Sequence, residues 1–164
     1  MRSRRHVCLV VVGLAMAGVG VAFAQPAQSK SDVPFATSAE IDAALPRAAA
    51  NPAAVARLLP DGDYQYFVAT RTQPGSAEIH KQWSDVTIIR SGKGVLRTGG
   101  VIPSQQEVSP GEWRGATIQG STERQLGAGD LVVIPVGMAH QFSPVGDNPL
   151  VYVTVKVPAG LDKQ

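Results

Sequence analysis

Residues 129–142 read Gly129-Asp-Leu-Val-Val-Ile-Pro-Val-Gly-Met-Ala-His140-Gln-Phe142, and this stretch decides the fold. Its apolar, partly β-branched run at 131–134 predicts a short buried strand. Pro135 ends that strand because it has no N–H for a neighbouring strand, and Gly137 permits a tight turn. The chain then re-enters as a second strand. Since a rigid sheet holds a ligand side chain more firmly than a loop does, His140 is the first candidate site residue.

The spacing Gly-x5-Pro-x-Gly-x2-His in this stretch resembles the second signature motif of the cupin superfamily of small β-barrels. Gly129, Pro135, Gly137 and His140 are the matched residues. The family usually has an asparagine four residues after the histidine, where this chain has Pro144. The resemblance implies an all-β, single cupin-type barrel (a double-stranded β-helix or jelly roll). Without it, a hairpin with a histidine satisfied inside the core would account for the same residues.

The N-terminus carries the pattern of a secretory signal peptide over residues 1–24. The first six residues are basic, the next eighteen carry no charge, and a small-x-small cleavage site ends at Ala24. A retained membrane anchor is the alternative, since such a run nearly spans a bilayer. The paired Arg4 and Arg5 also resemble the start of a twin-arginine signal. We therefore expect export to the periplasm or the exterior by the Sec or the Tat route.

Cleavage after Ala24 would change the charge and thiol content of the chain. The full sequence has 15 Lys and Arg, 13 Asp and Glu and one cysteine, Cys8. Three arginines and Cys8 belong to the leader, so the mature chain would have 12 basic against 13 acidic residues. We expect no nucleic-acid partner and, after cleavage, no membrane partner. Disulfides, thiolate metal ligands and cysteine nucleophiles are excluded from the mature chain.

Two short helices are predicted over residues 37–60, after a polar, flexible tether over residues 25–36. The first has a capping-box pattern, Thr37-Ser-Ala-Glu40, and is expected from Ser38 to about Leu45, where the proline that follows stops it. The second is expected from Asn51 to about Leu59, because an N-cap residue is followed by proline. Both would pack on the sheet as braces.

Residues 61–160 are predicted to form the barrel. Glycines and prolines separate many short segments, a spacing that indicates an all-β sandwich or barrel and leaves no room for the helical crossovers of a parallel sheet. The last strand alternates, with Leu150, Tyr152, Thr154 and Lys156 on one face and four valines on the other. The predicted strands are 64–71, 77–82, 85–90, 95–98, 115–118, 123–126, 131–134, 138–143 and 150–157.

An altered form of the first cupin motif precedes the hairpin. That motif is usually written Gly-x5-His-x-His, three or four residues, Glu, six residues, Gly. Anchored on Gly92, this chain reads Glu78-x-His80-x4-Asp85-x6-Gly92, with Glu78 at the first histidine position and Asp85 at the glutamate position. Gly75 lies three residues before Glu78, closer than the family's usual distance. The resemblance spans about residues 64–157 and is stronger in its second half.

Glu78, His80, Asp85 and His140 form the candidate metal site. Side chains alternate along a strand, so Glu78 and His80 face the same side, while Asp85 lies on the next strand and His140 on the far hairpin. Two imidazoles with one or two carboxylates suit Fe(II), Mn(II), Zn(II) or Ni(II) and leave positions open for substrate or water. An ionised carboxylate inside an apolar barrel also needs a metal or another cation.

Other roles remain open for the two carboxylates. Asp85 is one methylene shorter than the usual glutamate, so it could hydrogen-bond a ligand histidine without binding the metal. Glu78 could pair with Arg90 or Arg97.

Five further residues are candidates for the wall of a substrate pocket. Such a wall suits a small, partly apolar or aromatic molecule, and Arg114 could hold a substrate carboxylate with two hydrogen bonds. The alternative is ordinary core packing and, for Arg114, a solvated loop position. The five are Gln82, Trp83, Arg114, Phe142 and Tyr152.

The leading hypothesis is an exported metal-dependent cupin enzyme, a dioxygenase, isomerase or lyase, that acts on a small organic molecule. No catalytic residue is assigned. The rival is a cupin that binds a sugar or an aromatic compound without turning it over, and the third alternative is a purely structural barrel; fold alone does not separate them. The resemblance also implies a homodimer formed through the outer strands.

Overall fold

The computed structural model describes residues 33–51, 53–60 and 62–160. The predicted signal peptide and most of the predicted tether lie outside this part of the chain. The described elements are α1 (Ser38–Ala50), β1 (Val55–Arg57), β2 (Gln65–Arg71), β3 (Ala77–His80), β4 (Trp83–Ser91), β5 (Gly94–Thr98), β6 (Gln106–Ser109), β7 (Glu112–Gly115), β8 (Thr122–Leu126), β9 (Leu131–Ile134), β10 (His140–Pro144) and β11 (Leu150–Pro158).

The strands form two antiparallel sheets that face each other. The five-stranded sheet has the order β1-β2-β11-β4-β9, and the six-stranded sheet has the order β6-β7-β3-β10-β5-β8. Apart from the pairs β1-β2 and β6-β7, neighbouring strands are not consecutive in the chain, so the chain winds between the two sheets as it does in a double-stranded β-helix. The predicted all-β barrel class is confirmed.

One apolar core fills one end of the space between the sheets. Both sheets contribute to it because alternate side chains of each strand point inwards. On β11 the predicted alternation is present: Leu150, Tyr152 and Thr154 are buried between the sheets, while Val151 and Val153 face the other way and pack near α1. The core residues are Ala69, Ile89, Leu96, Leu126, Ile134, Phe142, Leu150 and Tyr152.

Helix α1 is longer than predicted because Pro46 does not stop it. The capping box is present, with the Thr37 side chain accepting from the Glu40 backbone N–H. Pro46 lies inside the helix and removes one backbone hydrogen bond. Ala44 and Ala48, one turn apart on either side of it, are fully buried beside Val68 and hold the last turn against the sheet.

The second predicted helix, from Asn51 to about Leu59, is wrong. Asn51 accepts a hydrogen bond from the Ala53 N–H through its side chain, and Ala54 then adopts a positive φ of 54°. The chain continues as β1, which pairs with β2 from Val55 opposite Ala69 to Arg57 opposite Phe67. Pairing with the edge of a sheet overrides the local helix signal here.

The hairpin at 129–142 has the predicted turn but not the predicted burial. Gly137 has a φ of +78°, and the Met138 N–H donates to the Pro135 carbonyl. However, β9 is an edge strand: Leu131 is 64% and Val133 60% exposed, and only Ile134 is buried. The prediction of a buried strand is therefore wrong, because an apolar run does not reveal which strands lie at a sheet edge.

The predicted strand at 115–118 is also wrong. Gly111, with a φ of +78°, instead forms the turn between β6 and β7, and β7 ends at Gly115. Residues 112–115 therefore belong to the sheet, and their alternation sends Glu112 and Arg114 to one face. This shift of a few residues matters for the site.

In the part of the chain that the structure describes, no helix is both long and apolar enough to cross a membrane.

Candidate metal centre

Three neighbouring strands of the six-stranded sheet bring the site residues into register. Glu78 on β3 lies opposite His140 on β10 and, on its other side, opposite Arg114 on β7. His80, two residues further along β3, lies opposite Glu112 on β7. Directly opposed residues project from the same face of a sheet. The sheet therefore presents these five side chains together.

The two histidine rings are oriented by hydrogen bonds from their Nδ1 atoms. His80 Nδ1 is 2.5 Å from Glu112 Oε2, and His140 Nδ1 is 3.1 Å from the Met138 carbonyl oxygen. An ionised carboxylate and a carbonyl only accept, so each Nδ1 donates and each Nε2 is left for another partner. The rings are buried, with centroids 5.0 Å apart.

The unoccupied ring nitrogens converge with the carboxylate of Glu78. One ligand atom from each of Glu78, His80 and His140 can be chosen so that all three lie within 4.8 Å of one another. His80 Nε2 is 3.6 Å from Glu78 Oε2 and, although buried, has no hydrogen-bond partner in the described part of the chain. A divalent metal would supply the missing partner, so these three donors fit one.

Asp85 approaches the same point from the opposite sheet, on β4. Its Oδ2 is 3.4 Å from His80 Nε2 and 3.9 Å from His140 Nε2. Its Oδ1 accepts a hydrogen bond from Lys156 Nζ at 2.9 Å. Asp85 and Lys156 are register partners on β4 and β11. One oxygen of Asp85 thus faces the donors, while the other accepts from the ammonium group of the half-buried Lys156.

Burial and neighbouring charges shift the pKa values of the paired His80 and Asp85 in opposite directions. Burial lowers the pKa of His80, but the carboxylates of Asp85 and Glu112 outweigh it and raise that pKa to about 9. Burial raises the pKa of Asp85, but His80 and Lys156 outweigh it and lower that pKa to about 2. Without a metal, this pair holds its own compensating charges.

His140 and Glu78 are held in the protonation states that bind metals, a neutral imidazole and an ionised carboxylate. Burial lowers the pKa of the His140 imidazole, which favours the neutral ring. Burial raises the pKa of Glu78, but the nearby cationic Arg114 and the two imidazoles outweigh it, so its pKa is lowered and the carboxylate is ionised. Arg114 Nε lies 3.5 Å from Glu78 Oε1. The expected alternative partners of Glu78 were wrong, since Arg90 pairs with Asp42 and Arg97 with Glu123.

A cavity of about 130 Å³, which opens to solvent, adjoins these donors. It has an apolar wall and a charged wall. Of the five predicted pocket residues, Arg114, Phe142 and Tyr152 line it. The lining residues are Ala53, Val55, Phe67, Ala69, Arg71, Ser76, Glu78, His80, Asp85, Glu112, Arg114, His140, Phe142, Tyr152, Thr154 and Lys156.

Gln82 and Trp83 do not line the cavity. The predicted strand at 77–82 ends at His80, so the alternation that would have turned Gln82 inwards stops two residues earlier. Gln82 is exposed and lies beside Gly111. Trp83 is half-buried at the start of β4, opposite Pro158.

Three residues near the donors were not predicted from the sequence to belong to the site. Glu112 was missed because the strand was placed after it. Lys156 could have been predicted, since the alternation of β11 puts it on the inward face with Tyr152. Arg71 is the last residue of β2, and no local pattern predicted its position in the site, because the residues that surround it are distant in sequence.

Comparisons with known proteins support the fold. No protein-family model matches the chain, and no curated protein matches it. Among solved structures, BH2720 from Bacillus halodurans superposes with a TM-score of 0.52 and 18% identity, over 80% of this chain and 86% of that one.

Two further solved structures match with lower scores. A double-stranded β-helix domain protein from Klebsiella pneumoniae matches with a TM-score of 0.48 and 19% identity, over 64% of this chain and 76% of that one. A cupin-like protein from Thermotoga maritima matches with a TM-score of 0.45 and 21% identity, over 63% and 66%. With its two facing antiparallel sheets and a histidine-bearing hairpin, the chain has a cupin-type double-stranded β-helix fold.

Proposed function

We propose that this protein is a metal-dependent enzyme that acts on a small organic molecule, with Glu78, His80 and His140 as metal ligands. The observation that carries the proposal is the orientation of the two imidazoles. Both Nδ1 atoms are engaged with fixed acceptors, so both Nε2 atoms are left beside an ionised carboxylate. Among the described residues, the buried Nε2 of His80 has no hydrogen-bond partner in this arrangement, although the Asp85 carboxylate lies 3.4 Å away.

A bound divalent metal would supply a Lewis acid with open coordination positions. The chain's own residues would do the rest. Glu112 would hold His80 in the tautomer that coordinates through Nε2. Lys156, with one of its three N–H groups directed at Asp85, would have donors left for an oxygen of the bound molecule. Asp85 would keep a negative charge next to the reacting atoms.

The cavity supports a small substrate. Its apolar wall, which includes Phe67, Phe142 and Tyr152, suits an apolar or aromatic body, and its small volume restricts the ligand to a small molecule. Whether the reaction is that of a dioxygenase, an isomerase or a lyase depends on the metal and the substrate.

Metal analysis tests the proposal. The protein is purified from its native compartment, and Fe, Mn, Ni and Zn are measured per chain, together with calorimetric titration of chelated protein. We expect one metal per chain and loss of that metal in His80→Ala and Glu78→Gln. Glu123→Gln, which removes an exposed carboxylate outside the cavity, is the matched control. Absence of any stoichiometric metal, with no uptake on titration, would overturn the proposal.

A non-catalytic binding protein is the second candidate. It is favoured by the charges already present, since Arg114 faces Glu78 and Lys156 faces Asp85 without a metal. Incubation of the metal-loaded protein with a small-molecule extract of its native compartment separates the two. A compound that is converted by the wild type and not by His80→Ala indicates an enzyme, whereas a compound retained unchanged indicates a binding protein.

We also propose export, on the leader pattern at residues 1–24. N-terminal sequencing of protein from the native host is expected to begin at Gln25. A mature protein that retains residues 1–24 would contradict it.

A further inference from the structure

Arg71 stands out among the charged groups of the cavity because it is buried and has no counter-ion among the described residues. Its side chain lines the cavity and the residue is 8% exposed. In the described part of the chain, no carboxylate lies within salt-bridge distance of its guanidinium. Arg90, Arg97 and Arg114 are each paired with an acid and are each more exposed. Burying a cation without a counter-ion is costly, so the position favours binding of an anion.

The guanidinium is held in place by three contacts. Its Nε donates to the Tyr152 hydroxyl at 2.9 Å, and its Nη1 donates to the Ala53 carbonyl at 2.8 Å. The guanidinium also packs against Gly75: a Cβ added at that position would lie only 2.9 Å from the Arg71 Cζ. A guanidinium has five N–H groups, and the described residues offer no acceptor to Nη2. A positioned group with free donors is suited to bind a carboxylate.

Aromatic rings connect Arg71 to the metal donors. The Arg71 Cζ lies 5.9 Å from the centroid of the Tyr152 ring, which stacks on Phe142 at 4.6 Å. Phe142 in turn lies edge-on to His140 at 6.2 Å. The cavity therefore has a cation at one end, an aromatic wall along its side and the candidate metal ligands at the other.

We propose that the cavity binds a small organic carboxylate, whose anionic group pairs with Arg71 and whose apolar or aromatic body lies along Tyr152 and Phe142. This proposal rests on the proposed function, because it names the substrate class of that site. It moves the carboxylate contact from Arg114, whose Nε is already beside Glu78, to Arg71.

Calorimetric titration with matched acids and amides tests the proposal. The metal-loaded protein is titrated with benzoate against benzamide, and with hexanoate against hexanamide, since each amide is an uncharged molecule of similar size. We expect at least one acid to bind about tenfold or more tightly than its amide, as a charge-assisted pair requires. Acids that bind no better than their amides, or that do not bind, overturn the proposal.

Variants assign the preference to a residue. Arg71→Met is expected to abolish it, and Arg97→Met, which removes an exposed arginine elsewhere, to leave it unchanged. Loss in Arg114→Met with retention in Arg71→Met would overturn the assignment. So would loss in His140→Ala with retention in Arg71→Met, because the acid would then bind at the metal. If Arg71→Met does not fold, Arg71→Lys replaces it: a preserved but weaker preference supports the proposal, and an unchanged one overturns it.

Failure of this inference is distinguishable from failure of the metal proposal. Arg71→Met is expected to take up one metal per chain with wild-type affinity. The preference for acid over amide is also measured in chelated wild-type protein, where no metal contributes to binding of the acid.

Discussion

Glu78 and His140 lie directly opposite each other across the antiparallel pair β3–β10. They are 62 residues apart in the sequence, yet a single register position makes them neighbours on the inner face of the sheet. His80 joins them because it is two residues from Glu78 on the same strand. A slip of one residue in this register would turn both β3 residues outwards.

His140→Ala is expected to abolish metal-dependent stabilisation. A ligand at 100 times its Kd stabilises a folded protein by about 2.7 kcal/mol, which raises the melting temperature of a domain of this size by roughly 10 °C. The wild type should show this rise with its preferred metal and the variant should not. Differential scanning calorimetry with and without metal measures it, and an undiminished rise in the variant would remove His140 from the site.

Glu112→Gln is expected to weaken metal binding by roughly 10–100-fold without abolishing it. The amide still accepts from His80 Nδ1, but it no longer provides the negative charge that makes the ring a stronger donor. Competition titration with a chromophoric chelator measures the affinity. Glu123→Gln, which lies outside the cavity, should retain wild-type affinity, and equal affinities in both variants would contradict a role for Glu112.

Lys156→Met is expected to destabilise the metal-free protein and to increase its gain from metal. The substitution leaves Asp85 buried without its closest cation, at a cost of roughly 2–4 kcal/mol. A divalent metal restores positive charge beside Asp85. Urea unfolding with and without metal measures both effects, with the exposed Lys93→Met as control. A metal-induced gain no larger than that of the wild type would count against an electrostatic role for Asp85.

Tyr152 is expected to make stability fall at high pH. Burial raises the pKa of its hydroxyl to about 12, against 10.0 for an unperturbed tyrosine, so the folded state favours the neutral phenol. The stability that the neutral hydroxyl contributes is fully present below pH 10. As the pH rises from 10 towards 12, the free energy of unfolding falls by roughly 2–3 kcal/mol. The difference in that free energy between wild type and Tyr152→Phe, measured in urea from pH 9 to 12, should shrink by this amount. A constant difference would contradict the buried, neutral hydroxyl.

Gly75→Ala is expected to destabilise the protein by roughly 1–3 kcal/mol, because the new methyl group would meet the Arg71 guanidinium. The preference for organic acids should weaken at the same time. Gly62→Ala is the matched control, since nothing lies within 4 Å of a Cβ at that position. Thermal unfolding and acid titration of both variants measure the effects. Equal stability of the two would show that Arg71 moves aside at little cost.

Local patterns in the sequence determined the class of the fold and much of its segmentation. Strand periodicity, the glycines and prolines between strands, and the capping box at Thr37 are properties of short segments, and each is present in the structure. The spacing around His140 also carried the cupin resemblance. What failed were features that depend on distant partners: the helix after Asn51, which became an edge strand, and the burial of Leu131.

Only the tertiary structure decided how the site is assembled. The pairings of β3 with β10 and β7 join segments far apart in the chain, and they bring Glu112 and Arg114 to the donors. Lys156 comes to lie beside Asp85, and Arg71 comes to lie in the cavity with no carboxylate of the described residues beside it, only because the two sheets face each other. Side chains that meet across a barrel share no local pattern, because what relates them is strand register and the distance between the sheets.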